Sequence, residues 1–106
     1  MDEGKLQALL EEATAHSYDE EDEFWAVFST LVGRVAYPIP AQVGGEAVTL
    51  VGVDGPTSNV DVGVMARVEK GGGEETVPLA DVDPVGTDPE SAEWLAVYRY
   101  WWGQQG

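Results

Sequence analysis

The chain has 106 residues, of which 43% are hydrophobic, so a single compact domain with a real core is expected over 1–106. Twenty acids against five Lys plus Arg give a formal charge of −15. That charge argues against nucleic acid, whose phosphates need a cationic surface, and against an anionic membrane face, and it leaves divalent cations and basic protein segments as partners.

With no cysteine, disulfides, thiolate metal sites and cysteine nucleophiles are excluded. No secretory leader is recognisable, and no apolar run approaches the ~18 residues of a membrane span. A soluble, cytoplasmic monomer is the expectation. Acidity on this scale is also what salt adaptation would produce, since high charge keeps a protein soluble.

Residues 4–15, "GKLQALLEEATA", place Leu6, Leu9, Leu10 and Ala13 at helical spacing. His16-Ser17 breaks that pattern. Ser17 with Glu20 three residues later matches a capping box, which predicts a second helix from about Tyr18. Its apolar stripe is Phe24, Trp25, Phe28, Leu31 and Val32, and Gly33 is its natural stop. Residues 1–33 are thus read as helical and 34–86 as sheet.

The sheet region opens on "VAYPIPAQV", where Pro38 and Pro40 forbid helix and suit an edge or kinked strand. "EAVTLVGV" and "VDVGVMARVE" alternate as strands, with the turn residues "DGPTSN" between them. "KGGGEE" is a second turn, and "ETVPLADV" a shorter strand. The spacing predicts a small bent antiparallel sheet or an SH3-like barrel within an α+β fold. A last helix over 87–103 starts at Asp88 as N-cap with Pro89 at its first position, or one residue earlier with Thr87 and Glu90 as a capping box. It carries Trp94, Leu95, Val97, Tyr98, Trp101 and Trp102, an aromatic face read as core together with Trp25 and Phe28.

Enzyme templates fail on inventory, and a non-enzymatic protein is expected. His16 is the sole histidine, so neither a zinc site nor a Ser-His-Asp relay is supported. The glycines at 71–73 precede Glu74-Glu75, which would repel phosphate. No EF-hand loop occurs, so calcium, which takes six to eight oxygen ligands, would need another kind of site.

The strongest candidate is the run Asp19, Glu20, Glu21, Asp22 and Glu23. On a helix, Asp19 neighbours Asp22 and Glu23, and Glu20 neighbours Glu23. Like charges ~4 Å apart cost ~1 kcal/mol in water and ~4 kcal/mol at a typical surface dielectric. The helix dipole returns ~0.3–1 kcal/mol per acid, so five acids exceed what that dipole rewards. A dication would relieve the remainder, although charge runs are usually solvated. A second acidic set, Asp81, Asp83, Asp88, Glu90 and Glu93, has its ordinary account as a strand-to-helix connection. Asp54 and Asp61 flank the "DGPTSN" turn.

"YDEEDEFWAVFSTLVGRVAYPIPAQV", then "VTLVGV", then "VPLADVDPV" and "TDPESAEWLAVYRYWW" together resemble the small acidic, non-EF-hand calcium-binding proteins typified by the cyanobacterial heterocyst-related calcium-binding protein. That family has a Tyr-Asp-Glu-Glu-Glu run leading into an aromatic helix, a Phe-Pro-Phe-like start to a strand, a Val-Pro-Leu strand and a closing acidic-aromatic helix. Tyr18 through Glu21, Tyr37-Pro38-Ile39-Pro40, Val77-Pro78-Leu79 and Asp88 through Trp102 match these in order, over residues 17–102. The first helix and "DGPTSNVD" lie outside the pattern. The resemblance implies an α+β fold and calcium (Ca2+) binding, as buffer or sensor, by surface carboxylates. On matched acidic positions the ligands are placed at Asp19, Glu20, Asp22 and Glu23, with Asp81 and Asp83 completing the shell. The rival reading is an acidic interaction module with an SH3-like barrel, its charge serving salt adaptation or a basic partner.

Overall fold

In a computed structural model that describes residues 3–105, three helices and a five-stranded antiparallel sheet form an α+β fold. The chain divides into two compact units, one of residues up to Val35 together with those from Pro89 onward, the other Ala36–Asp88.

The helical unit holds α1 (Glu3–Ala13), α2 (Glu20–Arg34) and α3 (Pro89–Gly103). Leu6 and Leu10, one turn apart, are the buried positions of α1, and Phe24, Val27 and Leu31 those of α2. Trp94, Leu95, Val97, Tyr98 and Trp101 are buried on α3. Large fully buried side chains such as Phe24, Leu31 and Tyr98 contribute ~1.5–3 kcal/mol each by leaving water. Lys5 Nζ meets Glu93 Oε2 at 2.9 Å, and Tyr100 Oη donates to Gln7 Oε1 at 2.9 Å, tying α1 to α3 at their exposed rims.

Two helix boundaries depart from expectation. α2 begins at Glu20 with Asp19 as N-cap, its side chain accepting from Asp22 N at 2.8 Å. Ser17 instead belongs to the turn that finishes α1, where its N–H donates to Thr14 O at 3.0 Å. At the other end α2 runs through Gly33 to Arg34. α3 starts at Pro89, whose missing N–H costs nothing at a first helical position.

In the sheet unit β1 (Ile39–Val43), β2 (Glu46–Asn59), β3 (Gly63–Lys70), β4 (Gly73–Pro78) and β5 (Val82–Pro84) lie in the order β4-β3-β2-β1-β5. The sheet is open, with β4 and β5 as its edges. β3 shows why the alternation is legible: Val64, Ala66 and Val68 are fully buried while Arg67 and Glu69 are exposed. Gly44-Gly45 and Gly71-Gly72 form two-residue hairpin loops, every residue at positive φ, as a type I′ turn requires.

Three strand expectations are corrected. "DGPTSN" does not connect two strands; it is the irregular end of β2, with the loop at residues 60–62. Asp54 draws Thr57 into a local bend, accepting from its N at 3.2 Å and its Oγ1 at 2.6 Å. Asn59 Oδ1 makes the real turn by accepting from Asp61 N and Val62 N at 2.9 and 3.0 Å. "ETVPLADV" is split, because a 3-10 turn, Leu79–Asp81, separates β4 from β5. Finally, β1 is not an edge, having β2 on one side and β5 on the other. Pro40 is tolerated there because its carbonyl and its missing donor face β5, whose ladder ends at Pro84 opposite Ala41. Pro40 O needs only to accept from Val85 N, at 2.7 Å.

Candidate functional site

Capping at Asp19 gathers the acid run into the first turn of α2. Glu20, Glu21, Asp22 and Glu23 are its first four helical residues, where unpaired backbone N–H groups and the helix dipole favour negative charge. Asp19, Glu20, Glu21 and Asp22 are exposed and Glu23 is half-buried. Asp19 Oδ1 is engaged by the cap, and Asp19 O accepts from Glu23 N at 3.0 Å.

Glu23 has a partner that the sequence did not reveal. Trp101 Nε1 donates to Glu23 Oε1 at 2.5 Å, joining α3 to the acidic turn of α2. The available signal was the indole N–H itself, a lone donor that seeks an acceptor when its ring is buried. Trp101 is 2% exposed. Its ring also packs against Phe24, centroids 6.1 Å apart, and Phe24 meets Trp25 edge-on at 4.9 Å. Most of the aromatic face of α3 is therefore core within the helical unit. Arg34, at the far end of α2, lies over the Trp94 ring at 5.8 Å.

Three basic residues engage acids away from this turn. Lys5 holds Glu93, Arg67 approaches Glu74 at 3.9 Å and Lys70 pairs with Glu46. Electrostatically the turn offers hard carboxylate oxygens concentrated at a helix N-terminus, the donor chemistry that calcium selects. Among the described residues, no three acidic or histidine side chains are already arranged to hold a metal ion.

Of the second acidic set, Asp81 closes the 3-10 turn and Asp83 is the middle residue of β5, paired with Gln42 of β1. Both are exposed on either side of buried Val82. Asp19, Glu20, Asp22 and Glu23 thus cluster in the helical unit, and Asp81 and Asp83 in the sheet unit. Glu93 is taken up by Lys5.

Beside the acidic turn lies an open groove of about 350 Å3, running from the end of α1 along α2. Asp22, Trp25, Ala26 and Ser29 line it from α2, and His16 and Ser17 from the connector.

No family model matches the chain, and no curated protein matches it. Two solved structures are similar. The crystal structure of Anabaena CcbP has a TM-score of 0.82 at 15% identity, over 95% of this chain and 91% of that one. A calcium-binding protein in its calcium-binding form has a TM-score of 0.78 at 16% identity, over 96% of this chain and 92% of that one. At these identities the likeness is one of fold, and at that level it agrees with the resemblance read from the motifs of residues 17–102.

Proposed function

We propose that this chain is a non-enzymatic calcium-binding protein, using surface carboxylates outside any EF-hand. The observation that carries the reading is the shared fold, over 96% of this chain, with a calcium-binding protein in its calcium-binding form. It is supported by the acidic first turn of α2, which has the donor chemistry a hard cation requires. Asp19, Glu20, Asp22 and Glu23 are the ligands we assign there, and Asp81 and Asp83 are a further pair of donors. Asp19 and Glu23 each have one oxygen engaged, by the Asp22 amide and the Trp101 indole, so the other oxygens of these two and both of Glu20 and Asp22 would face the ion.

Exposed carboxylates must be gathered before they ligate. Ordering a Glu costs up to ~1.5–2 kcal/mol of rotamer freedom, against which the relief of like-charge repulsion works in favour of binding. Binding is therefore expected to be weaker than at a cage of carboxylates already arranged around the ion. Calorimetric titration with calcium, in the presence of excess magnesium, tests the reading. Saturable calcium heat that survives magnesium supports it, and its absence removes calcium from the function.

A further inference from the structure

We infer that the groove beside the acidic turn is a docking site for an arginine-bearing segment of a partner protein. Its volume of about 350 Å3 suits one or two side chains rather than a folded surface. Its walls carry three things that a guanidinium uses together. Asp22 supplies a carboxylate for the planar fork. Trp25, still 37% exposed although it packs on Phe24 and Phe28, supplies an indole for cation–π contact. Ser17 and Ser29 also line it and supply hydroxyl acceptors. Asp19, Glu20 and Glu21 lie next to Asp22 in sequence, and the chain as a whole carries −15, so a basic segment is steered toward this end of α2. Charge complementarity selects the occupant: an acidic or phosphorylated segment would be repelled, and a purely apolar one would leave Asp22 desolvated without a partner.

The groove shares Asp22 with the ligand set proposed above, so its test runs in calcium-free buffer, where failure of one reading does not decide the other. The probe is a capped Gly-Ser-Arg-Gly-Arg-Gly peptide, titrated into the isotopically labelled full chain and followed by amide and indole chemical shifts. Saturable shifts concentrated on residues 13–29 and on the Trp25 indole are expected. Replacing both arginines of the peptide with citrulline, which keeps the shape and removes the charge, should abolish them. Trp25→Ala should weaken binding about fivefold and Asp22→Asn at least as much. Glu11→Gln with Glu12→Gln, which removes more charge from α1, should change it less than twofold. Shifts spread evenly over all acidic surfaces, or equal binding of the citrulline peptide, would overturn the proposal without reference to either variant's folding.

Discussion

Asp19 and Asp22 separate what capping needs from what charge adds. Capping uses one oxygen of Asp19, which accepts from the Asp22 amide, and Asn performs that task as well as Asp. The double change Asp19→Asn with Asp22→Asn should therefore keep α2 in place and relieve repulsion, leaving the metal-free protein as stable or more so by thermal melting. On the proposed ligand set, calcium affinity should fall tenfold or more, because two anionic ligands would become neutral. Glu11→Gln with Glu12→Gln is the matched control. Equal losses from the two doubles would reduce the acidic turn to one part of a diffuse field. Tyr37 gives a residue-scale test at the other end of the pH range. Burial pushes its phenol from the ordinary 10.0 up to about 12. Between those values the unfolded chain releases the proton and the folded one keeps it, so stability falls as pH rises. The contribution is intact below about pH 10 and gone above about 12. Because Tyr37 is only part-buried, the loss is expected at ~1–2 kcal/mol, below the full linkage value of ~2.7 kcal/mol for two pH units. Tyr37→Phe should flatten the alkaline limb of a melting-versus-pH curve, and an unchanged limb would show that the phenol ionises alike in both states.

At the scale of elements, two glycines with open space around them should respond in opposite directions. Gly33 is the second-to-last residue of α2, and Gly45 sits at φ +84 in the β1–β2 loop; an added Cβ meets nothing within 4 Å at either. Gly33→Ala should stabilise by ~0.5–1 kcal/mol through helix propensity, and Gly45→Ala should cost ~1–2 kcal/mol in backbone strain. Denaturant midpoints measure both, and a destabilising Gly33→Ala would mean that the helix ends earlier than Arg34. The same contrast explains what the sequence made legible. Strand alternation in β3 and paired glycines are local signals, and both were readable. The cap was misread because Ser17 and Asp19 both satisfy the local rule, and it is Asp19 whose backbone is extended and whose Oδ1 accepts from Asp22 N. "DGPTSN" has turn chemistry and does bend, but Asn59 places the reversal after it. The acids of the site were visible as a run, while the Trp101–Glu23 bond was not, since it joins residues 78 apart. That bond makes a prediction of its own. A carboxylate that accepts a hydrogen bond on one oxygen is oriented to ligate through the other, and losing such support costs 10–100-fold in metal affinity. If Glu23 is a ligand as proposed, Trp101→Phe should weaken calcium binding about tenfold, with Trp102→Phe as the control. An unchanged calorimetric affinity would take Glu23 out of the ligand set.

For the molecule as a whole, the question is whether a charge of −15 is relieved at particular sites or by the ionic atmosphere. The two mechanisms respond differently to the same additions. A cation bound only by the folded chain stabilises by mass action, ~2.7 kcal/mol at a hundredfold excess over the dissociation constant. For a chain of this length that corresponds to a rise of roughly 10 °C in melting temperature. General screening needs far more salt, because the Debye length shrinks only from ~10 Å at 0.1 M to ~3 Å at 1 M. Melting in millimolar calcium is therefore to be compared with melting in sodium chloride at matched, moderate ionic strength, and then with melting in molar potassium chloride. The calcium reading expects a rise in the first condition that the matched sodium control lacks. Adding a chelator should reverse that rise. Salt adaptation expects no difference between calcium and matched sodium, and a large rise only in molar potassium chloride. A molar-salt rise on top of a calcium rise is compatible with the calcium reading, because acids outside the ligand set still repel one another. A calcium response no larger than the sodium control would leave the acidic turn of α2 a solvated helix start, with its charge serving solubility.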